Sequence, residues 1–367
     1  MIHTTAPLPD WAALKTALTP SRPDPAALAA PWTRGGDSVL WLSRSAWSLA
    51  ALAEAFAELL GEQAVVAVPE YICHAALVPL AERARLVFYP VSAETLAPDW
   101  EVCATLARFD LFLLVHYFGF PTDAAPAAEF CADRHAVLIE DAAHMLRPLP
   151  GVGDFGAATL YSPHKLLAVP DGAALVVAEG GEELLPTLAA RIGAAAPPVK
   201  PWALRRAVQK TSLGRLLMRL RPGGQPDFAS DPIAAPPAAT PALSAAGAAL
   251  IAASDLDAIA ARRAANARVL AEALTPLAAW MPLFPDRNDV APYRLVMRCR
   301  DTDIATDLYA RLRRAGVPVE SWPDLPPNLP PDSTARLLRG TLLLLACHQG
   351  ISAEAMAALA ARAIEAR

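Results

Sequence analysis

The chain has 367 residues, of which 54% are hydrophobic and 19% charged, and its formal net charge is −5 at pH 7. This length is enough for one large domain and a smaller one with a well-buried core. The acidic balance argues against general nucleic-acid binding, and no apolar run is as long as the roughly 18 residues of a membrane-spanning helix.

Alternating helix and strand patterns begin near residue 45. Helices are predicted at 45–60, 75–84 and 124–134, and strands at 64–68, 85–89, 110–116, 135–140, 157–161 and 173–177. Strands that alternate with helices of about ten to fifteen residues form a largely parallel sheet covered on both faces. We therefore predict an α/β fold, with Ser45 placed to cap the first long helix.

The second half of the chain has a different pattern. A long helical pattern at 245–276 is followed by alternating strands and helices at 290–367, which predicts a small α+β domain. The predicted organisation is an N-terminal segment, a large domain and a C-terminal unit of a helix and the small domain, at 1–40, 41–243 and 244–367.

A basic stretch, residues 200–221, carries seven basic residues and no acid. It is flanked by two proline-rich stretches that we interpret as loops, at 194–201 and 221–241. Such a stretch is typical of a solvated helix face. It also fits a phosphate-rich substrate, an acidic partner or a membrane surface.

The cysteines are scattered, without a close Cys-x-x-Cys pair: Cys73, Cys103, Cys131, Cys299 and Cys347. We therefore expect neither a disulfide framework nor a structural zinc site, and a reducing cytoplasm is the simplest location. The first 15 residues lack a cationic start followed by an apolar block, so we expect no secretion signal.

Polar side chains follow three of the predicted strands, and in such sheets binding sites lie at the carboxyl ends of the strands. The candidates are, in chain order, Tyr71, Cys73 and His74; Asp141 and His144; and Ser162, His164 and Lys165. Ser43, Arg44 and Ser45 precede the first long helix, whose N-terminus favours an anion such as phosphate.

Lys165 is one of only four lysines and lies in the largely apolar run "TLYSPHKLLAVPDGAALV". Desolvation favours the neutral, nucleophilic form of such an amine. Pyridoxal phosphate needs three groups at one sheet edge. A lysine forms the Schiff base, a carboxylate keeps the ring nitrogen protonated, and a helix start binds the phosphate. Taken singly, Asp141 also fits a turn cap and Lys165 a surface residue.

These residues lie in segments that resemble the DegT/DnrJ/StrS family of pyridoxal-phosphate sugar aminotransferases, fold type I. The matching segments span about residues 40–350 and are "SRSAW", "VPEYICHAAL", "LVHYFGFPTD", "LIEDAAHML", "GDFGAATLYSPHKLLAVPDGA" and "LACHQGIS". The resemblance implies a large domain with a mostly parallel seven-stranded-type sheet flanked by helices, and a smaller C-terminal α+β domain.

The resemblance also implies an activity and roles for single residues. Lys165 corresponds to the Schiff-base lysine and Asp141 to the partner of the pyridine nitrogen. His144 lies where the family has Gln or His near the cofactor ring, and Ser45 with the backbone at Arg44 lies in the phosphate-binding turn. The implied enzyme is a homodimer that moves an amino group, through an internal aldimine on Lys165, from glutamate or glutamine to a keto group of a sugar or related small molecule.

The chain departs from the family at several of these positions. The family's Ser five residues before the lysine is Leu160 here, so Ser162 is expected to replace it. The family's Gly in the helix-start turn is Arg44, and its ring-stacking aromatic is Cys73, so Tyr71 or His74 is a candidate substitute. The partner-subunit loop with Asn and Arg is not recognisable, and the acceptor stays open among nucleotide sugars, free keto sugars, cyclitols, keto acids and lipid-linked ketones.

Three other interpretations remain. The segment "SPHKLLAVPDG" is also similar to class V aminotransferases and cysteine desulfurases, in which Asp141 and Lys165 would keep their roles but a mobile catalytic cysteine is needed. The chain also fits a catalytically idle family member. A hydrolase without a cofactor would use Cys73, His74, His116 and Asp141. Family members that dehydrate sugars replace the lysine with His, so the presence of Lys165 favours transamination.

Overall fold

The computed structural model describes residues 4–193, 195–211, 214, 228–229, 241–274, 281–284 and 290–366. Most of the proline-rich stretch 221–241 and the second half of the basic stretch lie outside the described residues. Among the residues that the structure describes, no helix is both long and apolar enough to cross a membrane.

A seven-stranded sheet forms the centre of the large domain. Its strands are β1 Ser38–Leu42, β2 Val65–Pro69, β3 Arg85–Tyr89, β4 Leu111–Val115, β5 Val137–Ala142, β6 Ala158–Tyr161 and β7 Ala173–Val177. They lie in the order β1-β7-β6-β5-β4-β2-β3. The neighbours from β3 to β6 are parallel, whereas β7 is antiparallel to both β6 and β1. The predicted α/β sheet is confirmed, and β1 is an additional edge strand.

Helices cover both faces of this sheet. They are α1 Trp11–Leu18, α2 Pro25–Ala29, α3 Ser45–Leu60, α4 His74–Ala81, α5 Trp100–Cys103, α6 Ala125–Asp133, α7 Pro163–Leu166, α8 Leu185–Ile192 and α9 Lys200–Lys210, with 3₁₀ turns at Tyr117–Gly119 and Glu182–Leu184. The Ala- and Leu-rich α3 ends at Gly61, whose φ of 70° is the left-handed cap that glycine favours. The prediction that Ser45 caps α3 is wrong: Arg44 occupies the cap position and makes no side-chain capping bond.

The C-terminal part begins with two helices, α10 Ala245–Ala252 and α11 Leu256–Leu274, where the sequence predicted one. The break follows from Asp255, whose Oδ1 accepts from the Ala258 N–H and so starts a new helix. The remaining elements are β8 Met281–Pro282, β9 Leu295–Arg298, α12 Thr302–Arg314, β10 Val319–Glu320, α13 Thr334–Thr341, β11 Leu342–Leu345 and α14 Ala353–Glu365. Their strands form an antiparallel sheet in the order β10-β11-β9-β8.

The buried strands position the functional edge of the large domain. Every residue of β2 and β4 is buried, since helices pack on both faces of the sheet. One core includes Phe112 and Leu114 of β4 and extends to Leu342 and Leu344 of β11 in the C-terminal domain. The carboxyl ends of β4, β5 and β6 therefore lie at one edge of the large sheet, close to the smaller domain.

Candidate active site

A cavity of about 850 Å³ lies beyond the carboxyl ends of β4 and β5. Six of the residues singled out from the sequence line it: Tyr71, Cys73, His116, Asp141, His144 and Lys165. The smaller domain supplies the opposite wall through Tyr293 and the residues from Gly316 to Pro323. The cavity is therefore shared between the two domains.

Lys165 reaches this cavity from a single helical turn. Helix α7 follows β6 directly, and the Lys165 N–H donates to the Ser162 carbonyl at 2.9 Å. Lys165 itself is half-buried. Its positive charge acts on the pKa of both Asp141 and His144, which shows that the three side chains share one electrostatic environment.

Asp141 lies at the end of β5, opposite Leu160 of β6. Its Oδ1 accepts from the Ala143 N–H at 2.9 Å, so it does cap the turn after the strand. Burial raises the pKa of the Asp141 carboxyl, while the Lys165 ammonium opposes that rise. Among the described residues no donor bonds to Oδ2, and the side chain lines the cavity. This carboxylate therefore has one oxygen available to a bound molecule.

His144 is held as a neutral imidazole. Its Nδ1 accepts from the Phe118 N–H at 3.2 Å, so its proton is on Nε2. Burial, together with the charges of Lys165 and Arg294, lowers the pKa of His144 well below 6.5. Its ring stacks on Tyr293, with centroids 4.5 Å apart and planes within 7°. This stack joins the large domain to the smaller one.

The turn of the "HYFG" motif holds both members of this stack. Phe118 has a φ of 59°, which is unusual for a residue with a side chain. In this conformation its N–H donates to His144 and its carbonyl accepts from the Tyr293 N–H at 2.7 Å. A Cβ on Gly119 would lie 2.9 Å from the Tyr293 nitrogen, so glycine is needed for this close approach.

Tyr71 and Cys73 line the cavity, and neither side chain is an activated nucleophile. Tyr71 stacks on Trp322, with ring centroids 4.5 Å apart. The Cys73 thiol donates to Asp324 at 2.8 Å, and burial, followed by the charge of Asp324, raises the pKa of Cys73 to about 12. Cys347 is fully buried, and burial raises its pKa as well. Neither thiol fits the mobile, ionised cysteine of a desulfurase or a cysteine hydrolase.

The residues predicted for the phosphate-binding turn lie outside the lining of the cavity. The Arg44 guanidinium donates to the Ser43 and Pro170 carbonyls, and burial lowers its pKa. Ser162 Oγ donates to Ser45 Oγ at 3.1 Å, and both side chains are buried. The start of α3 carries no side-chain cap, and the Trp47 N–H donates to the Arg44 carbonyl at 3.1 Å.

The two neighbouring histidines also lie outside the cavity lining. His164 donates from Nδ1 to the Gly172 carbonyl at 3.1 Å, which is a packing role within its own loop. Burial lowers the pKa of His164 well below 6.5. His74 is the first residue of α4 and is half-buried. Tyr71, rather than His74, is therefore the aromatic neighbour of Cys73 in the cavity wall.

Sequence reasoning missed several residues of the site. Tyr293 and Trp322 belong to loops of the smaller domain, and Arg206 and Gln209 enter the cavity wall from α9. His116, which the sequence indicated only as a hydrolase candidate, also lines the cavity and donates from Nε2 to Glu140 at 2.9 Å. The carboxyl-end rule could have found His116, because it follows β4 directly. Nothing in the local sequence indicates the other four.

No protein-family model matches the chain, and no curated protein matches its sequence. Solved structures do match. The aminotransferase TlmJ from Streptoalloteichus hindustanus is 20% identical with a TM-score of 0.70, over 100% of this chain and 98% of that one. Helicobacter pylori PseC, an aminotransferase of pseudoaminic acid biosynthesis, is 15% identical with a TM-score of 0.72, again over 100% and 98% of the two chains.

A third structure carries the family name. A DegT DnrJ EryC1 StrS aminotransferase from Brucella abortus is 17% identical with a TM-score of 0.66, over 96% of this chain and 93% of that one. These matches extend over essentially the whole length of both proteins. The resemblance noted in the sequence is confirmed at the level of the fold: the chain has the fold of the DegT/DnrJ/EryC1/StrS aminotransferases.

Proposed function

We propose that the protein is a pyridoxal-phosphate-dependent aminotransferase that transfers an amino group from an amino acid to the keto group of a sugar or a related small molecule. One observation carries the proposal: Lys165 and Asp141 line a single cavity, in a chain with the fold of sugar aminotransferases. An amine and a carboxylate at this edge are the two groups that the cofactor's ring requires.

The residues present suit the cofactor. Asp141 Oδ2 has no donor among the described residues, and a protonated pyridine nitrogen is a donor that would satisfy it. NtdA from Bacillus subtilis, a further structure of this fold, contains the bound cofactor PMP. Ser45 and Ser162 stay the predicted phosphate ligands; their hydroxyls bond to each other outside the cavity lining, so a bound phosphate would have to replace that bond. The bound cofactor would supply an electron sink for the substrate carbon.

Each residue then has a distinct task. With the cofactor bound, Lys165 Nζ would hold it, and the free amine would move a proton to and from the substrate carbon. The Asp141 carboxylate would hold the ring nitrogen in its protonated form, an electrostatic contribution strengthened by burial. Neutral His144 and the aromatic rings of Tyr71, Tyr293 and Trp322 form a wall that limits access of water.

Glutamate or glutamine as the donor and a homodimer as the active form follow from the sequence resemblance. A cytoplasmic location is supported by five free cysteines. Arg206 in the cavity wall is compatible with an acceptor that carries an acidic group.

The decisive experiment is reduction of the cofactor-loaded protein with borohydride, followed by peptide mass spectrometry. We expect a visible absorbance band that borohydride abolishes, with the cofactor mass on the peptide containing Lys165. Lys165→Ala should lose the band, whereas Lys200→Ala, at an exposed lysine of α9, should keep it. A colourless protein that takes up no added cofactor would instead support a catalytically idle scaffold.

A further inference from the structure

The turn that carries Lys165 is bonded to the smaller domain through Gln349. Gln349 Nε2 donates to the Leu166 carbonyl at 2.8 Å. Leu166 is the last residue of α7 and directly follows the lysine. The amide of Gln349 thus contacts the backbone of the large domain one residue from the amine that lines the cavity.

Gln349 is itself fixed by a buried arginine. Arg263 of α11 has no exposed surface, and its Nη1 donates to Gln349 Oε1 at 3.0 Å. Because an amide can rotate to exchange its oxygen and nitrogen, this bond from a cation determines which end of Gln349 faces Leu166. The oxygen turns to Arg263, and the nitrogen is left to bond the lysine turn.

The same arginine holds the other wall of the cavity. Arg263 Nε donates to the Pro292 carbonyl and Nη2 to the Tyr293 carbonyl, both at 3.2 Å. Tyr293 is the ring that stacks on His144. One guanidinium therefore bonds to the two segments of the smaller domain that touch the lysine turn and the histidine.

The chemistry of Arg263 is unusual for a residue that only packs. Among the described residues no carboxylate lies within ion-pair distance of it, and its three bonds go to neutral oxygens. Burial lowers the pKa of Arg263 to about 10. Burying a cation without a counter-ion is energetically costly. An apolar side chain could fill the same space, but only the guanidinium can orient its three partners through directional hydrogen bonds.

We propose that Arg263 and Gln349 are positioning residues that fix the orientation of Lys165 towards Asp141. The Arg263 guanidinium bonds the Gln349 amide, which bonds the Leu166 carbonyl; we call this chain of hydrogen bonds the relay. Through it, the position of the Lys165 amine depends on the position of the smaller domain. The part that concerns catalysis rests on the proposed function. The part that concerns the lysine turn does not.

The test measures the reactivity of Lys165 in the full-length, cofactor-free protein. The wild type and Gln349→Met are labelled with trinitrobenzene sulfonate, and the labelling of each lysine is followed by peptide mass spectrometry. Exposed Lys15 is the internal reference. Loss of one hydrogen bond should loosen the turn and speed the labelling of Lys165 about fivefold relative to Lys15.

A matched variant separates positioning from general stability. Asn266 lies on the same helix as Arg263 and donates to the His348 and Ile351 carbonyls, on either side of Gln349, without bonding the lysine turn. Asn266→Leu should lower the unfolding temperature and leave the Lys165 labelling rate unchanged. Equal labelling of Lys165 in wild type and Gln349→Met, or an equal rise in Asn266→Leu, would overturn the proposal.

A second readout uses the cofactor-loaded protein. In single-turnover mixing with an amino donor, Gln349→Met should react about tenfold more slowly than the wild type, and the pH midpoint of its visible band should shift. An unchanged rate and midpoint would also count against the relay. A wild type that forms no cofactor–lysine band refutes the proposed function alone, because the labelling comparison is made without cofactor.

Discussion

The Cys73 thiol donates a hydrogen bond to the Asp324 carboxylate at 2.8 Å, between residues 251 positions apart. The second oxygen of Asp324 accepts from the Ala75 N–H at 3.3 Å, in the first turn of α4. The segment that carries Trp322 is thereby bonded to the large domain beside the cavity. After burial, which is the main cause, the charge of Asp324 and this bond further raise the pKa of the thiol.

We expect Cys73 to be nearly inert to iodoacetamide at pH 8, because with a pKa of about 12 only about one thiol in 10⁴ is ionised. Asp324→Asn removes the negative charge that opposes ionisation and should speed alkylation of Cys73. Cys131 is the internal control, since its pKa is also raised to about 12, but by burial alone. The measurement is the alkylation rate of each cysteine peptide by mass spectrometry. An unchanged Cys73 rate in the variant would contradict this account.

The placement of Lys165 and Asp141 at one cavity could be predicted from the sequence because it needs only local rules. Asp141 lies at the end of β5 and Lys165 follows β6, and neighbouring parallel strands end at the same edge of a sheet. The small-domain wall could not be predicted in this way. Tyr293 and Trp322 lie more than 100 residues away in sequence, in loops whose positions depend on tertiary packing.

The predicted phosphate site shows a different limit of sequence reasoning. Ser45 has a residue type and a position that suit a helix cap, yet its hydroxyl accepts a bond from Ser162, 117 residues further along the chain. A long-range partner thus replaced the local one that the helix-start pattern predicted. Strand β1 was missed for the same reason, since its hydrogen bonds are made to the distant β7.

Buried Glu140 should contribute to the acid sensitivity of the fold. Glu140 accepts from the N–H groups of Gly153, Phe155 and Gly156 and from His116. Burial alone would raise the pKa of Glu140, but these bonds outweigh it and lower the pKa below 4.5. The ionised form is therefore stabilised by folding. Its contribution is full above pH 4.5 and is lost as the pH falls through the lowered pKa.

Glu140→Gln tests this assignment. The amide replaces one accepting oxygen by a donor that faces other donors, so we expect a loss of about 3 kcal/mol in the free energy of unfolding at pH 7. The loss should shrink as the pH falls below 4.5. Denaturant unfolding at pH 7 and at acid pH measures both effects. Glu62→Gln, at an exposed partner of Arg108, should cost no more than about 0.5 kcal/mol.

His144→Gln should preserve the site while removing a titrating group. The glutamine oxygen can accept the Phe118 N–H that His144 Nδ1 accepts now. The pKa of His144 is lowered by burial, so below pH 6.5 the unfolded chain binds a proton here that the folded protein does not. This costs the wild type up to about 1.4 kcal/mol per pH unit in the free energy of unfolding. The variant should lose less stability between pH 6.5 and 5, as denaturant titrations at both values would show.

The pH–rate profile of the enzyme is the control for His144→Gln. Since His144 is neutral in the folded protein, its replacement should leave the shape of the pH–rate profile unchanged between pH 6 and 8. A limb of the profile that disappears in His144→Gln would mean that the imidazole titrates during turnover. That outcome would contradict the neutral assignment drawn from the Phe118 hydrogen bond.

Arg206 lines the cavity and its neighbour Arg205 does not, so comparing variants of the two tests whether the acceptor carries an acidic group. Arg206 is half-buried in the cavity wall, and its Nη1 donates to Gln209 at 2.9 Å, whereas Arg205 is exposed and outside the wall. Burial, followed by the charge of Arg205, lowers the pKa of Arg206. Among the described residues no acidic side chain lies within ion-pair distance of Arg206. An acidic group on a substrate would therefore relieve an uncompensated positive charge.

With an acidic acceptor, Arg206→Ala should raise KM for that acceptor at least about tenfold and change kcat little, because a hydrogen bond to a charged group is lost on binding. Arg205→Ala keeps the same helix and net charge as Arg206→Ala, and it should change KM less than about twofold. Steady-state kinetics with acidic and neutral keto sugars distinguishes the cases. If both variants raise KM equally, the effect is a general surface potential. If only neutral acceptors react, and Arg206→Ala leaves their KM unchanged, the arginine does not select the substrate.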